Sequence, residues 1–297
     1  MQTLTTGLGL LESPRWVGDR LWFADWTGGK ILAIGASGPP ELVVEHPSLP
    51  LCFDLLPDGS PLLVSGPRQA LLRLGDDGAL TAYADLAPLS QFGYNDIVVD
   101  GRGNAYVNNG NAQFGTMTPP GATAPGFVAL VTPDGTASVV AEDLAFPNGM
   151  AVTADNGTLV VADSYRHQLV GFDIALDGTL SGRRVWADLG DDSPDGICLD
   201  AQGAAWYASV PGQHCVRVAE GGKVLDAVTL DRGAFACMLG GPDRTTLYVV
   251  GARWPGAERL MNYADWDGTV WSVPAPAAGA GWPGPPYSRS TVATRTR

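Results

Sequence analysis

Basic residues are scarce in this chain of 297: 18 Lys and Arg stand against 31 Asp and Glu, for a formal net charge of −13. Such a chain lacks the positive face that nucleic acid or an anionic membrane surface requires, so neither is expected as a partner. A small neutral molecule or a cation suits it better. Cysteine is sparse too. Cys52, Cys198, Cys215 and Cys237 show no C-x-x-C spacing, and a domain of this size needs no disulfide staples, so they read as free buried thiols. The first residues have no basic segment followed by an apolar run, so no secretory signal is expected. Nowhere does the chain approach the ~20 apolar residues of a spanning helix. The expected location is the cytoplasm. Helical periodicity does not persist over about 12 residues anywhere, because proline and glycine interrupt each candidate.

What the chain has in quantity is turn chemistry. Gly 39 and Pro 23, with 45% hydrophobic and only 16% charged residues, fit many short strands joined by tight turns. The strands come in repeated units. Apolar strands opening at positions 53, 95, 148, 195 and 236 are 42, 53, 47 and 41 residues apart, within the ~40–50-residue period of propeller blades. Each is followed by a turn such as Pro57-Asp58-Gly59 or Ala201-Gln202-Gly203 and by two further strands, a fourth being legible only at residues 223–230. With an earlier unit around residues 12–34, six units fit. The expected fold is all-β: a six-bladed β-propeller over residues 1–273, in which residues 3–10 complete the last blade beside residues 268–273. Residues 109–125 are expected to form a loop over one mouth, and 274–297 a tail or packing arm.

Three unit openings carry ligand-type oxygens: Glu12 in Glu-Ser-Pro-Arg-Trp, Asn148 before Gly149 and Asp195 before Gly196. An ionised carboxylate at the head of an apolar run costs several kcal/mol unless it is paired or bound to metal. Converging from different blades, these oxygens would make a cation site. Asn-Gly and Asp-Gly are also ordinary turn sequences, so each pair taken alone can be nothing more than a turn. His46, His167 and His214 lie in no G-x-S-x-G context, and Ser13, Ser164 and Ser209 have no recognisable base, which disfavours a serine nucleophile. Asp100, Asp163 and Asp200 fit hydrogen bonding within blade turns.

Glu12-Ser-Pro-Arg-Trp16, Asn95-Asp96, Pro147-Asn-Gly149, Pro194-Asp-Gly196 and Gly240-Gly-Pro-Asp243, in this order and at blade spacing, resemble the SMP-30/gluconolactonase/luciferin-regenerating-enzyme family. The resemblance implies a metal-dependent lactonase-type hydrolase with one divalent cation on the propeller axis. It implies Glu12, Asn148 and Asp195 as metal ligands, Asp195 also as the catalytic carboxylate that activates water, and Asn95 beside the ion, contacting the substrate or completing the metal shell. Tyr94, next to Asn95, is grouped with it as substrate-binding. An all-oxygen ligand set suits Ca²⁺ best, with Mg²⁺, Mn²⁺ and Zn²⁺ as alternatives. In sugar-lactonase members, the position two before Asn95 is commonly an arginine that grips the sugar acid. Here it is Gly93, which predicts a less cationic, more apolar substrate pocket. Two rival readings follow: the same ion serving an isomerase, cyclase or dehydratase, and a propeller that binds a metal or ligand without catalysis.

Overall fold

The computed structural model describes residues 1–35, 37–111, 125–256, 259 and 262–281. Strand β1 (Gln2–Leu8) is followed by a first sheet of β2 (Leu11–Val17), β3 (Arg20–Asp25), β4 (Lys30–Ile34) and β5 (Glu41–Glu45). The second holds β6 (Phe53–Leu55), β7 (Pro61–Ser65), β8 (Ala70–Leu74) and β9 (Leu80–Asp85). The third holds β10 (Ile97–Val99), β11 (Ala105–Asn109), β12 (Gly126–Val131) and β13 (Ala137–Leu144). Next come β14 (Pro147–Val152), β15 (Thr158–Asp163), β16 (Gln168–Ile174) and β17 (Leu180–Asp188). The fifth sheet is β18 (Ile197–Leu199), β19 (Ala205–Ser209), β20 (His214–Val218) and β21 (Val224–Thr229). In the sixth, β22 (Gly233–Gly240), β23 (Thr246–Ala252) and β24 (Gly268–Pro274) take β1 as their outer strand.

Six four-stranded antiparallel blades therefore form a β-propeller, and the pairing of β1 with β24 closes the ring. Among the described residues there is no α-helix, only short 3-10 turns such as Ser164–Arg166 and Tyr263–Asp265. Among the described residues no helix is long and apolar enough to cross a membrane.

Burial follows position in the blade. Strands β7, β11, β12 and β19 are buried at every residue, because both faces of each sheet pack on neighbouring blades. Phe23, Phe53, Tyr106 and Trp206 fill the space between blades. The outer strands show the opposite pattern. Strands β5, β9, β13 and β17 are largely exposed and their apolar residues follow no regular alternation, which is why sequence periodicity gives only three strands in the first four units. Turn residues act as expected: Gly59 (φ 88°) and Gly203 (φ 78°) take the left-handed conformation that a side chain resists. All four cysteines are free and buried.

Beyond β24, the Ala201 N–H donates to the Ala278 carbonyl (2.7 Å) and the Ala280 N–H to Leu199 (3.0 Å), tying residues 278–280 to the turn after β18. The rest of the expected tail (282–297) and most of the expected 109–125 loop (112–124) lie outside the described residues.

Candidate active site

The inner strands break register where the ligand-type residues sit. In β2 the pairing with β3 slips between Glu12 and Arg15, with Ser13 at φ 48°, a conformation rare outside glycine. In β14 it slips between Pro147 and Met150, which frames Asn148. Bulges of this kind re-aim a side chain that a regular strand would bury between blades. Strands β10 and β18 are only three residues long, so Asn95, Asp96 and Asp195 precede the regular ladder. The Asp195 N–H is still held by the Ala208 carbonyl at 2.8 Å.

Neither Asn148-Gly149 nor Asp195-Gly196 is a turn. Gly149 lies within β14, and a Cβ there would fall 2.5 Å from the Asp195 carbonyl oxygen and 2.6 Å from the Gly196 Cα. At Gly196 a Cβ would fall 2.3 Å from that of Ala236. These glycines let the inner strands of blades four, five and six approach closely.

Glu12, Asn95, Asp96 and Asn148 line one cavity of about 10 Å³, together with Arg15, Cys52 and Cys237. That is room for about one water-sized sphere. Asp195 joins the group through its neighbours: its backbone leads into Gly196 in the cavity wall, and its charge acts on Glu12. The Asn95 amide donates to Asn148 Oδ1 at 3.0 Å, linking blades three and four. The inner-strand residues named from the sequence, Glu12, Asn95, Asn148 and Asp195, are thus brought together.

Asp96 makes the cluster more acidic than the sequence reading assumed. Its Oδ2 accepts the Met150 N–H at 3.2 Å, and burial raises its pKa although Arg15 opposes this. Burial first, then the charges of Asp195 and Asp96, push the Glu12 carboxyl well above its ordinary range. Burial and Asp96 do the same to Asp195, against the favourable amide of Asn148 and N–H of Gly196. Arg15 does not neutralise the group. Its guanidinium is spent on Asp54 Oδ1 (2.8 Å), the Ile97 carbonyl (2.8 Å) and the Pro14 carbonyl (3.0 Å).

One atom decides what this arrangement lacks. Asp195 Oδ1 is buried and accepts no hydrogen bond. A buried carboxylate oxygen without a donor is costly, and a cation is the partner its chemistry calls for. Among the described residues no group of three or more His, Cys, Asp and Glu side chains is arranged to hold a metal ion. A ligand set here needs the Asn148 amide oxygen beside the carboxylates of Glu12 and Asp195. Two carboxylates and an amide around a space of this size fit a hard divalent ion.

The sequence model of the SMP-30/gluconolactonase/LRE-like region matches residues 10–253. The chain belongs to this family. A 6-deoxy-6-sulfogluconolactonase of Pseudomonas putida is 26% identical over 83% of this chain and 83% of its own length. A luciferin-regenerating enzyme of known structure superposes with TM-score 0.77 at 19% identity, covering 93% of this chain and 95% of that one. A regucalcin from Agrobacterium tumefaciens, described as a calcium-binding protein, gives TM-score 0.75 at 19% identity over 96% of each chain. At these identities the two structures speak for the family fold.

Asp195 stands behind Gly196 and is not itself among the lining residues, and Tyr94 is turned away from the cavity altogether. Its ring is buried in the blade core, edge-on to Phe127 at 6.0 Å, and its hydroxyl donates to the Leu86 carbonyl at 2.8 Å. The neighbouring Asn95 takes the inward position, and Tyr94 braces it from behind. A second, wider cavity of about 840 Å³ opens beside the first, and Trp26 belongs to both walls. Gly93 lines this wider space.

The histidines have structural work. Asp192 collects the Ser209 hydroxyl (2.6 Å), the Tyr207 hydroxyl (2.8 Å) and His214 Nε2 (2.5 Å), and its own carbonyl faces His167 Nδ1 at 3.1 Å. Ser209 and His214 meet the same carboxylate, and the Ser193 hydroxyl meets His167 Nδ1 at 3.3 Å on the Asp192 carbonyl, so serine, histidine and carboxylate do not stand in the series a nucleophile–base relay needs. The cluster pins the segment that runs from Asp192 into Asp195. Nothing in the sequence marks Asp192 for this task; Asp96 was flagged only by its place after Asn95.

Proposed function

We propose that this member of the family hydrolyses a lactone or related cyclic ester with the help of one divalent cation held by Glu12, Asn148 and Asp195. The observation that carries the reading is the donorless Oδ1 of Asp195, set in a trio of carboxylates beside a cavity of ion size. Names among its relatives point the same way: the sulfogluconolactonase for the reaction, the calcium-binding regucalcin for Ca²⁺ as the ion. When bound, such an ion polarises an ester carbonyl and brings the pKa of a water towards neutrality.

The remaining work falls to the side chains. The Asp195 carboxylate takes the proton of the attacking water. As the water oxygen bonds to the carbonyl carbon, the ring C–O bond breaks. The proton passes to the departing ring oxygen, giving a hydroxy acid. Asn95 turns its amide towards substrate oxygens, exchanging the bond it now gives to Asn148. Glu12 serves the ion. Trp26, shared by both cavities, stands between the reacting carbonyl and the wider cavity.

The test is lactone hydrolysis by purified protein with Ca²⁺ and with a chelator. Activity lost on chelation, restored by the ion, abolished in Asp195→Asn and retained in the exposed Asp19→Asn is the expected result. A protein that binds the ion tightly and leaves every lactone intact contradicts it. The isomerase or cyclase alternative rests on Gly93, where no cation grips a sugar acid; it predicts product of unchanged mass.

A further inference from the structure

The wider cavity has a chemical character of its own. Its wall is built from Trp26, Pro47, Leu49, Pro67, Phe92 and Gly93, with Thr27, Ser48 and Gln91 as its polar side chains. No Asp, Glu, Lys, Arg or His is among the described residues that line it. About 840 Å³ is the size of a small-molecule site, and the wall is held in place before any ligand arrives. The Asn109 amide donates to the carbonyls of Phe92 and Gly93 (3.1 Å each), and the Gln69 amide reaches Phe92 at 3.3 Å. On the opposite side the Ser48 hydroxyl is bonded to the Pro50 carbonyl and accepts the Gly66 N–H at 2.9 Å.

The cavity adjoins the acidic group through Trp26. Three carboxylates against one divalent ion leave that floor negative, which repels an anionic substrate. The basic residues next to the wall in sequence, His46 and Arg68, are not among those that line it. His46, next to Pro47, is bonded to Ser65 at 3.0 Å, and Arg68, after Pro67, is exposed. An anionic group entering this space would shed water with no cation among the described lining residues to receive it.

We infer that the substrate is an uncharged lactone carrying an apolar substituent, which lies between Trp26 and Phe92 while its ring carbonyl faces the acidic cavity. This rests on the lactonase reading and narrows it. It separates this chain from a substrate of the kind named in its Pseudomonas putida relative, where the sulfo group brings a negative charge.

Binding can be measured apart from turnover. Calcium-loaded protein is titrated calorimetrically with two hydrolysis-resistant δ-lactams, one bearing a phenyl group and one a sulfonate. The phenyl lactam should bind at least tenfold tighter, and Trp26→Ala should reduce that preference. Gly93→Arg should improve sulfonate binding at least tenfold. Space permits the change, because a Cβ at Gly93 meets only Pro50 Cδ at 3.7 Å and Gly66 Cα at 4.0 Å. Equal or tighter binding of the sulfonate by the unaltered protein overturns the inference, as does failure of both lactams to bind. Sulfonate binding that collapses in Arg68→Ala would show that Arg68 reaches the pocket, and would overturn it too. Failure of every lactone to turn over, with the phenyl preference intact, sinks the hydrolase reading instead.

Discussion

Strand β18 is flanked by an aspartate at each end of its short apolar run, Asp195 before it and Asp200 after it, and the two live differently. Asp200, just after Leu199, is saturated: it accepts the N–H groups of Gln202 (2.8 Å) and Ala204 (3.0 Å) and pairs with Arg217 at 2.6 Å. Asp195, just before Gly196, keeps one buried oxygen with no donor and shares its surroundings with two other carboxylates. The same contrast recurs on β10. Asp100 at its far end takes Arg102 N, Asn104 N and the Asn104 amide, whereas Asp96 at the near end joins the acidic trio. Far-end aspartates hold turns together. Near-end carboxylates crowd one another, and Asp195 Oδ1 lacks a donor, which is what a cation would relieve.

Exchanging the two aspartates of β18 tests the contrast most severely. Asp195→Asn should lower lactone turnover by about 10²–10⁴-fold, the share expected of a proton-transfer group, with unchanged or higher stability in the presence of chelator. A clear fall in melting temperature without metal would mark Asp195 as structural. Asp200→Ala should do the reverse. Leaving Arg217 buried and unpaired is expected to cost about 3–5 kcal/mol in denaturant unfolding, while the folded fraction keeps its turnover.

A smaller effect is expected at the glycine between Asn148 and Asp195. Gly149→Ala forces β14 away from the Asp195–Gly196 backbone and should cost about 1–3 kcal/mol, with weaker Ca²⁺ binding by calorimetry. Stability lost with ion affinity unchanged would mean that the strand approach does not set the site.

The smallest effect is in pH. Burial and mutual repulsion raise the folded-state pKa of Glu12 and Asp195 above their unfolded values. Their contribution to stability is therefore full below about pH 4, the unfolded range, and is lost as pH rises through the raised folded values. Chelated protein should melt progressively lower from acid towards neutral pH, and Ca²⁺ should flatten the trend. A chelated protein that gains stability over that interval contradicts the repulsion.

The fold was largely legible, because six apolar strand openings at blade spacing leave few other architectures, and β1 does close the ring. The outer strands β5, β9, β13 and β17 were not legible, since exposed edges carry no apolar alternation to read. At the site, repeat register and family motif brought Glu12, Asn95, Asn148 and Asp195 to one place. The pattern was silent on direction. Tyr94 and Asn95 are neighbours, yet one is core and the other lines the cavity, because β10 begins only at Ile97 and the residues before it follow no strand alternation. Asp192 was invisible for a different reason: its three side-chain donors come from β19 and β20, and only the folded blade assembles them.

The central claim is that Asp195 is short of a cation. A crystal structure of the calcium-loaded protein tests it most directly. The prediction is one ion with oxygens of Glu12, Asn148 and Asp195 at about 2.3–2.6 Å, Asp195 Oδ1 among them. An ion bound elsewhere, or Asp195 Oδ1 still without a partner while the protein is saturated with Ca²⁺, would contradict it.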